Sequence, residues 1–175
     1  MFDFGPVVNG TASKLDIKQT LKKLQTCWKH MKSLMSVPST GKFGEGEGGV
    51  YQTPRPSHLL ILLTKIHPHV SSILNDFPHL KESSVTMIDA GAGMHIPGVV
   101  GAVLGGYQSI GLEIDENRTA IAADFLHNML NFFPKAKLSL FNRDLTERGN
   151  WSKVVVFFFW DQVGGTPLSF LVPFL

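Results

Sequence analysis

The sequence has little of several features that would decide its class at once. It contains a single cysteine, Cys27, so it forms no internal disulfide and suits a reducing compartment. Only 17% of its 175 residues are charged while 43% are hydrophobic, which excludes a disordered chain. The longest apolar run, residues 154–160, has seven residues, whereas a membrane-spanning helix needs roughly 20. No secretory signal is visible, so we expect an intracellular protein, nuclear or cytoplasmic, with no membrane partner.

Positive charge is concentrated near the N-terminus. Residues 1–40 hold six lysines and two acids, a charge of +4, so the remaining 135 residues carry ten basic and twelve acidic side chains, or −2. Apolar residues at steps of three and four predict an amphipathic helix over residues 15–35. These residues are Ile17, Leu21, Leu24, Trp28, Met31 and Met35. Two interpretations stay open: a helix packed on the domain with a solvated lysine face, or a basic helix that docks on an acidic partner or a nucleic acid.

A loop separates this helix from the rest of the chain. Residues 36–56 contain five glycines and three prolines, which argues against a regular element there. The next helix is predicted to begin at Ser57 and to end at Ile66 or, beyond Pro68, at Leu74. We therefore divide the chain into residues 1–56, with the helix and the Gly/Pro-rich loop, and residues 57–175, the main domain.

Short apolar runs then alternate with helical patterns. Four runs bounded by turn residues are predicted to be strands, at residues 85–89, 108–113, 137–141 and 154–159. Helices are predicted over residues 97–104 and 115–132, the second capped by Asp115. The last run is apolar throughout, which is typical of a strand buried on both faces of a parallel sheet. The alternation predicts an α/β fold with a mainly parallel sheet.

The junction between the first two strands holds the most informative residues. The first strand ends in Asp89, and Gly91 and Gly93 then allow a tight turn that a ligand can approach closely. The helix N-terminus that follows attracts negative charge. Glu113 ends the second strand, twenty-four residues after Asp89, at the same edge of the sheet. An acid at that position can accept hydrogen bonds from both ribose hydroxyls, so the pattern predicts an adenosine-type ligand.

The glycine spacing separates two kinds of adenosine ligand. A dinucleotide fold prefers G-x-G-x-x-G, but Ile96 stands where the third glycine belongs. Asp89, two residues before the first glycine, is poorly placed beside a pyrophosphate and suits a ligand with a cationic centre and an ammonium group. S-adenosylmethionine has both. A nicotinamide-dependent oxidoreductase remains the disfavoured alternative.

Residues 88–93 and 111–115 resemble the first two motifs of class I S-adenosylmethionine-dependent methyltransferases. The resemblance, which covers residues 85–165, implies a three-layer Rossmann-like sandwich for the domain at 57–175. It also implies cofactor contacts by Asp89, Gly91, Gly93 and Glu113.

Two later segments are similar to further motifs of that class. Residues 142–145 follow the third strand, and the resemblance implies that Asp144 hydrogen-bonds the adenine amino group. Residues 158–161 lie where the class places its acceptor-side motif, which implies catalytic roles for Trp160 and Asp161. Both acids have another interpretation, since Asp144 can cap the segment at Thr146 and Asp161 can cap a turn.

One subgroup is more similar than the rest, the disruptor-of-telomeric-silencing type of histone lysine methyltransferases. It shares a helical N-terminal part and a loop with a Val-Tyr pair, matched here by Val50 and Tyr51. The resemblance implies that Tyr51 and Thr53 contact the methionine end of the cofactor, and it implies methylation of a protein lysine in nuclear chromatin. The chain departs from the subgroup at residues 94–97 and at residues 160–161, where the subgroup has paired asparagines.

Histidine supplies no further site in the sequence. His95 at the start of the predicted helix has two interpretations, a residue that faces the cofactor and a structural residue, and the second is favoured. The other histidines lack metal-ligand spacing, so we predict no metal.

The chain is short for the complete fold. The class has seven strands in the order 3-2-1-4-5-7-6, whereas four are placed here, so we expect a sheet truncated after the fourth strand. That strand would be an exposed apolar edge unless it is covered. Three accounts stay open: a fragment of a larger protein, an edge covered by a partner or a second copy, or a truncated product that binds poorly or not at all, of which the first and the third are favoured. The leading hypothesis is an S-adenosylmethionine-dependent methyltransferase, and the alternative is a non-catalytic or truncated methyltransferase-like interaction subunit.

Overall fold

The structure is a computed structural model that describes the chain in segments. Backbone is described for residues 14–35, 45–46, 49–50, 56–76, 85–144, 146, 155–160 and 167–172, and side chains for 17–26, 29, 57–76, 85–144 and 146. The helices are α1 (Lys14–Met35), α2 (Pro56–Asp76), α3 (Ile96–Gly105) and α4 (Glu116–Phe132). The strands are β1 (Glu45–Gly46), β2 (Gly49–Val50), β3 (Thr86–Ala90), β4 (Gln108–Glu113), β5 (Lys137–Asn142), β6 (Val155–Trp160) and β7 (Pro167–Val172).

The main sheet has the order β5-β4-β3-β6-β7. The pairs β5-β4, β4-β3 and β3-β6 are parallel, and β7 is antiparallel to β6. The predicted Rossmann-like α/β class with a mainly parallel sheet is therefore confirmed. In the register of β3 and β4, Asp89 lies opposite Gly111 and Ala90 opposite Leu112, so both strands end at one edge.

The sheet does not stop at its fourth strand, and that prediction was wrong. Residues 167–172 add β7 beside β6, so β5 and β7 are the outer strands of the described sheet. Six residues separate β6 from β7, enough for an antiparallel connection, whereas a parallel strand needs a crossover of roughly a dozen or more. The described sheet still has five strands rather than the class's seven, and the reason for expecting a partner or second copy on β6 no longer holds.

The described helices contact one another, and two of them contact the main sheet. The helices α3 and α4 pack on β4 and β5, α2 packs on α3, and α1 contacts both α2 and α4. The predicted amphipathic helix is confirmed as α1, with Leu24 buried in the core and Lys18, Lys22 and Lys23 exposed. Residues 147–154, which belong to the connection between β5 and β6, lie outside the described residues.

Two local predictions differ from the structure. The strands β1 and β2 pair antiparallel inside the segment predicted to have no regular element, with Glu45 opposite Val50 and Gly46 opposite Gly49. The helix α2 begins at Pro56 rather than Ser57 and runs through Pro68 to Asp76. Proline suits the first turn of a helix, where its missing N–H has no partner to lose. The domain boundary at residues 56 and 57 stays a prediction.

The core lies between α3 and its neighbours. Nearly every residue of α3 is buried, and both faces of β3 are buried as well. A Cβ at Gly101 would lie 2.5 Å from the Met87 sulfur, so the absent side chain lets α3 approach β3 closely. Within the described residues, no helix combines the length and the apolar character needed to cross a lipid bilayer.

Candidate nucleoside-binding site

A tight turn joins β3 to α3 at the predicted edge. Gly91 and Gly93 have φ angles of 67° and 52°, in the left-handed region that glycine enters without steric cost. The Ala92 N–H donates to the Leu112 carbonyl over 2.9 Å, and the His95 N–H donates to the Ala92 carbonyl over 2.7 Å. These bonds fix the turn against the end of β4.

Glu113 closes the turn from the neighbouring strand. Its Oε2 accepts the Gly93 N–H over 2.6 Å, and its Oε1 accepts the Asp115 N–H over 2.9 Å. Asp115 in turn caps α4 by accepting the Arg118 N–H over 3.0 Å, as predicted. Glu113 is 2% exposed. Because a carboxylate oxygen has two lone pairs, each oxygen of Glu113 can still accept one more hydrogen bond.

Asp89 is directed into the protein. Its Oδ2 lies 2.9 Å from His95 Nδ1, and its carboxylate also accepts the Gly98 N–H at the start of α3. Burial raises the pKa of Asp89, and the hydrogen bond and charge of His95 oppose that rise. The Glu113 carboxylate adds a smaller upward effect on the same pKa. The predicted contact between Asp89 and a ligand stays a prediction, and the partner seen for Asp89 is His95.

His95 occupies a slot that two glycines create. Its ring Nε2 lies 3.2 Å from Ser109 Oγ, and both residues are fully buried. A Cβ at Gly98 would overlap the ring, and a Cβ at Gly111 would lie 2.7 Å from its Nδ1. The ring therefore links β3 to β4, which is a structural role of the kind favoured for His95 from the sequence. The available signal was a polar ring in an otherwise apolar stretch, six residues after a strand-end acid.

The open side of the turn lies at Gly91 and Ile114. Gly91 is exposed, and a Cβ at this position would meet nothing within 4 Å. Ile114 directly follows Glu113 and is 49% exposed. An exposed apolar side chain next to a strand-end carboxylate offers a surface for a flat base. Ile114 was not among the predicted site residues, although its place after the acid could have indicated it.

The end of β5 is tied to the same edge. The Asn142 side-chain amide donates to the carbonyls of Glu113 and Ile114 over 3.1 and 3.0 Å. Asp144 follows two residues later, and its Oδ1 accepts both the N–H and the hydroxyl of Thr146 at 2.8 Å. The pKa of Asp144 is lowered, first by the Thr146 N–H and then by its hydroxyl. This is the capping interpretation of Asp144, and its contact with adenine stays a prediction.

Of the other predicted site residues, Trp160 is brought to this edge by its backbone, because Phe159 before it pairs with Ala90 at the end of β3. Tyr51, Thr53 and Asp161 lie outside the described residues. Trp160 is described by its backbone alone, as the last residue of β6 opposite Pro167. The roles of these four residues stay predictions. In the part of the chain that is described, no group of three or more metal-ligating side chains comes together.

Comparison with known proteins gives one partial similarity. No protein-family model matches the chain, and no curated protein matches it. A crystal structure of a candidate RNA methyltransferase from Pyrococcus horikoshii aligns with a TM-score of 0.39 and 26% sequence identity. The alignment covers 62% of this chain and 45% of that protein, so the chain spans less than half of its length. A similarity of this size assigns neither a family nor an activity.

Proposed function

We propose that the chain is an S-adenosylmethionine-dependent methyltransferase domain. One observation carries the proposal: the Glu113 carboxylate, held by the Gly93 N–H at 2.6 Å, stands at the tip of β4 beside a glycine turn with an open side. In parallel sheets, ligands bind outside the carboxyl ends of the strands. A carboxylate with free lone pairs at that edge of the sheet suits a ribose with two adjacent hydroxyls.

The residues at this edge fit a sulfonium nucleoside. Glu113 would accept the ribose hydroxyls, and the exposed Ile114 would lie against the base. The turn at Gly91 leaves room for the amino-acid end of the cofactor. Ile96, the first residue of α3, is buried where a dinucleotide fold requires a glycine. The fit thus favours S-adenosylmethionine over a nicotinamide dinucleotide.

The protein's part in the chemistry is to bind and to align. S-adenosylmethionine supplies a methyl group on a sulfonium, which already has a good leaving group. The glycine turn and Glu113 would fix the nucleoside, so that the acceptor meets the methyl group in line. Exclusion of water from this edge would favour an uncharged nucleophile over a protonated one.

For the acceptor we propose a protein lysine, as the resemblance to the histone methyltransferases implies. The amine must lose its proton before it attacks, and an apolar aromatic channel favours the neutral form. Trp160 and Tyr51 are the residues proposed to line that channel, and Asp161 is proposed beside them. Incubation with radiolabelled S-adenosylmethionine and purified histones is expected to label lysine. A parallel incubation with total RNA is the comparison, and label in RNA alone would contradict the lysine proposal.

A non-catalytic role is the second candidate, and one observation favours it. The Asp89 carboxylate is occupied by His95 and by the Gly98 N–H, so it is not presented to a ligand in this structure. A methyltransferase-like subunit that acts through interactions would keep such a core without turnover. If this second candidate is right, the folded protein transfers no methyl group to histones or to RNA.

Calorimetry with S-adenosylhomocysteine tests the cofactor assignment. The wild type is expected to bind it and to leave nicotinamide dinucleotides unbound. Glu113→Gln removes a charged acceptor, a loss of about 1.5–3 kcal/mol, which weakens affinity about 10- to 150-fold. Glu116→Gln is the matched control, because Glu116 is exposed three residues away, and its affinity should equal that of the wild type. Thermal melts confirm that each variant is folded, and equal affinity of Glu113→Gln and Glu116→Gln would refute the assignment.

A further inference from the structure

Three buried polar side chains form a chain of hydrogen bonds beside the glycine turn. His95 Nδ1 lies 2.9 Å from Asp89 Oδ2, and His95 Nε2 lies 3.2 Å from Ser109 Oγ. His95 and Ser109 are completely buried. The chain joins the end of β3 to β4 through the residue that precedes α3. Buried polar groups that are all satisfied in this way specify one arrangement of the backbone around them.

The backbone of His95 has an unfavourable conformation. Its φ angle is 57°, and among the described residues it is the one residue other than glycine with a positive φ. This region is sterically unfavourable for any residue with a Cβ, so surrounding contacts must hold it there. The ring is enclosed where Gly98 and Gly111 lack side chains and is bonded at both nitrogens.

The position of His95 controls the turn that contacts Glu113. The His95 N–H bonds to the Ala92 carbonyl, and the His95 carbonyl accepts the Val99 N–H in α3 over 2.9 Å. Gly93, between Ala92 and His95, donates its N–H to Glu113. A shift of His95 would therefore move the Gly93 N–H away from the carboxylate. The charge of Glu113 raises the pKa of Asp89, whereas the hydrogen bond from His95 lowers it. His95 therefore helps to keep two acids at one edge of the sheet.

We propose that Asp89 and His95 are positioning residues, which hold the turn at residues 91–95 so that Gly93 orients Glu113 for the ligand. Asp89 then acts through His95 and does not touch the ligand. The inference rests on the proposed cofactor function and adds to it a role for two residues inside the protein. It also explains why an acid precedes the first glycine although its carboxylate is buried.

Four variants separate positioning from general stability. His95→Ala removes both ring bonds. His95→Asn keeps a donor near the Nδ1 position and tolerates a left-handed backbone, so it is the conservative rescue. Ser109→Ala removes only the partner of Nε2. His127→Ala is the matched control, because His127 is exposed on α4. The readouts are the amide exchange rate of Gly93, the affinity for S-adenosylhomocysteine and the melting temperature.

His95→Ala is expected to exchange the Gly93 amide about tenfold faster than His127→Ala and to lose affinity about tenfold. His95→Asn should restore both to within about threefold of the wild type, and Ser109→Ala should fall between them. If His95→Ala does not fold, Ser109→Ala decides in its place. Gly93 exchange equal to that of His127→Ala overturns the inference. Absence of binding by the wild type overturns the proposed function instead, because Gly93 exchange needs no ligand.

Discussion

The backbone nitrogen of Gly93 lies 2.6 Å from Glu113 Oε2 and donates its hydrogen to it, although the two residues are 20 positions apart in the sequence. One belongs to the turn after β3 and the other ends β4, and the parallel register brings the two strand ends together. The bond is a charge-assisted one in a buried setting, which makes it among the stronger single hydrogen bonds a protein can form. It therefore fixes the carboxylate and the glycine turn as one unit.

We predict that alanine destabilises the protein at two glycines near this unit for different reasons. In Gly98→Ala the new methyl group would overlap the His95 ring, and overpacking of this kind costs about 1–3 kcal/mol of stability. In Gly91→Ala the methyl group meets no neighbour, and the cost is the left-handed backbone alone, about 1–2 kcal/mol.

Urea denaturation measures both changes, and amide exchange at Gly93 separates them. We expect faster Gly93 exchange in Gly98→Ala, because the His95 ring is displaced, and less change in Gly91→Ala. A Gly98→Ala protein with wild-type stability and wild-type Gly93 exchange would show that the ring does not need its slot.

We predict a loss of stability in alkali that depends on Tyr107. Burial raises the pKa of Tyr107 from 10.0 to about 12. A raised pKa in the folded state means that stability is fully present below pH 10 and is lost as the pH rises through about 12. A shift of that size corresponds to at most about 3 kcal/mol. Tyr107→Phe should remove this part of the pH dependence.

Denaturation midpoints at several pH values between 8 and 12 provide the test, with the wild type and Tyr107→Phe compared at each pH. Their difference in unfolding free energy should change steadily above pH 10. A constant difference over this range would mean that Tyr107 ionises as it does in an unfolded chain.

The local sequence pattern was sufficient to predict most of the helices and strands. The helix α4 and the strand β4 lie where periodicity and capping predict them, because their signals are carried by neighbouring residues. The strand β7 was missed although Leu168, Phe170 and Val172 alternate as in a strand, and its place in the sheet depends on the edge that β6 offers. Long-range pairing of this kind is not encoded by spacing.

The candidate site likewise has a part that the sequence predicts and a part that only the structure reveals. The nearness of Gly93 and Glu113 was predictable, because the ends of parallel strands share an edge. The bond between Asp89 and His95 was not, because it requires a slot that exists only when Gly98 and Gly111 come together in space. An acid before a glycine turn indicates a ligand site, but the sequence does not tell whether the acid contacts the ligand or holds the turn in place.

We predict that Asp144 titrates below the ordinary value of 3.8, because the Thr146 N–H and hydroxyl both stabilise its charged form. A lowered pKa means that this capping contact is present above pH 3.8 and is lost as the pH falls through the lower folded value. Thr146→Val removes the hydroxyl and keeps the N–H, so the pKa should rise only part of the way back. Carbon-detected NMR of the Asp144 carboxyl measures the midpoint in both proteins. Because the N–H is the larger cause, a full return to the ordinary value in Thr146→Val would contradict the capping geometry.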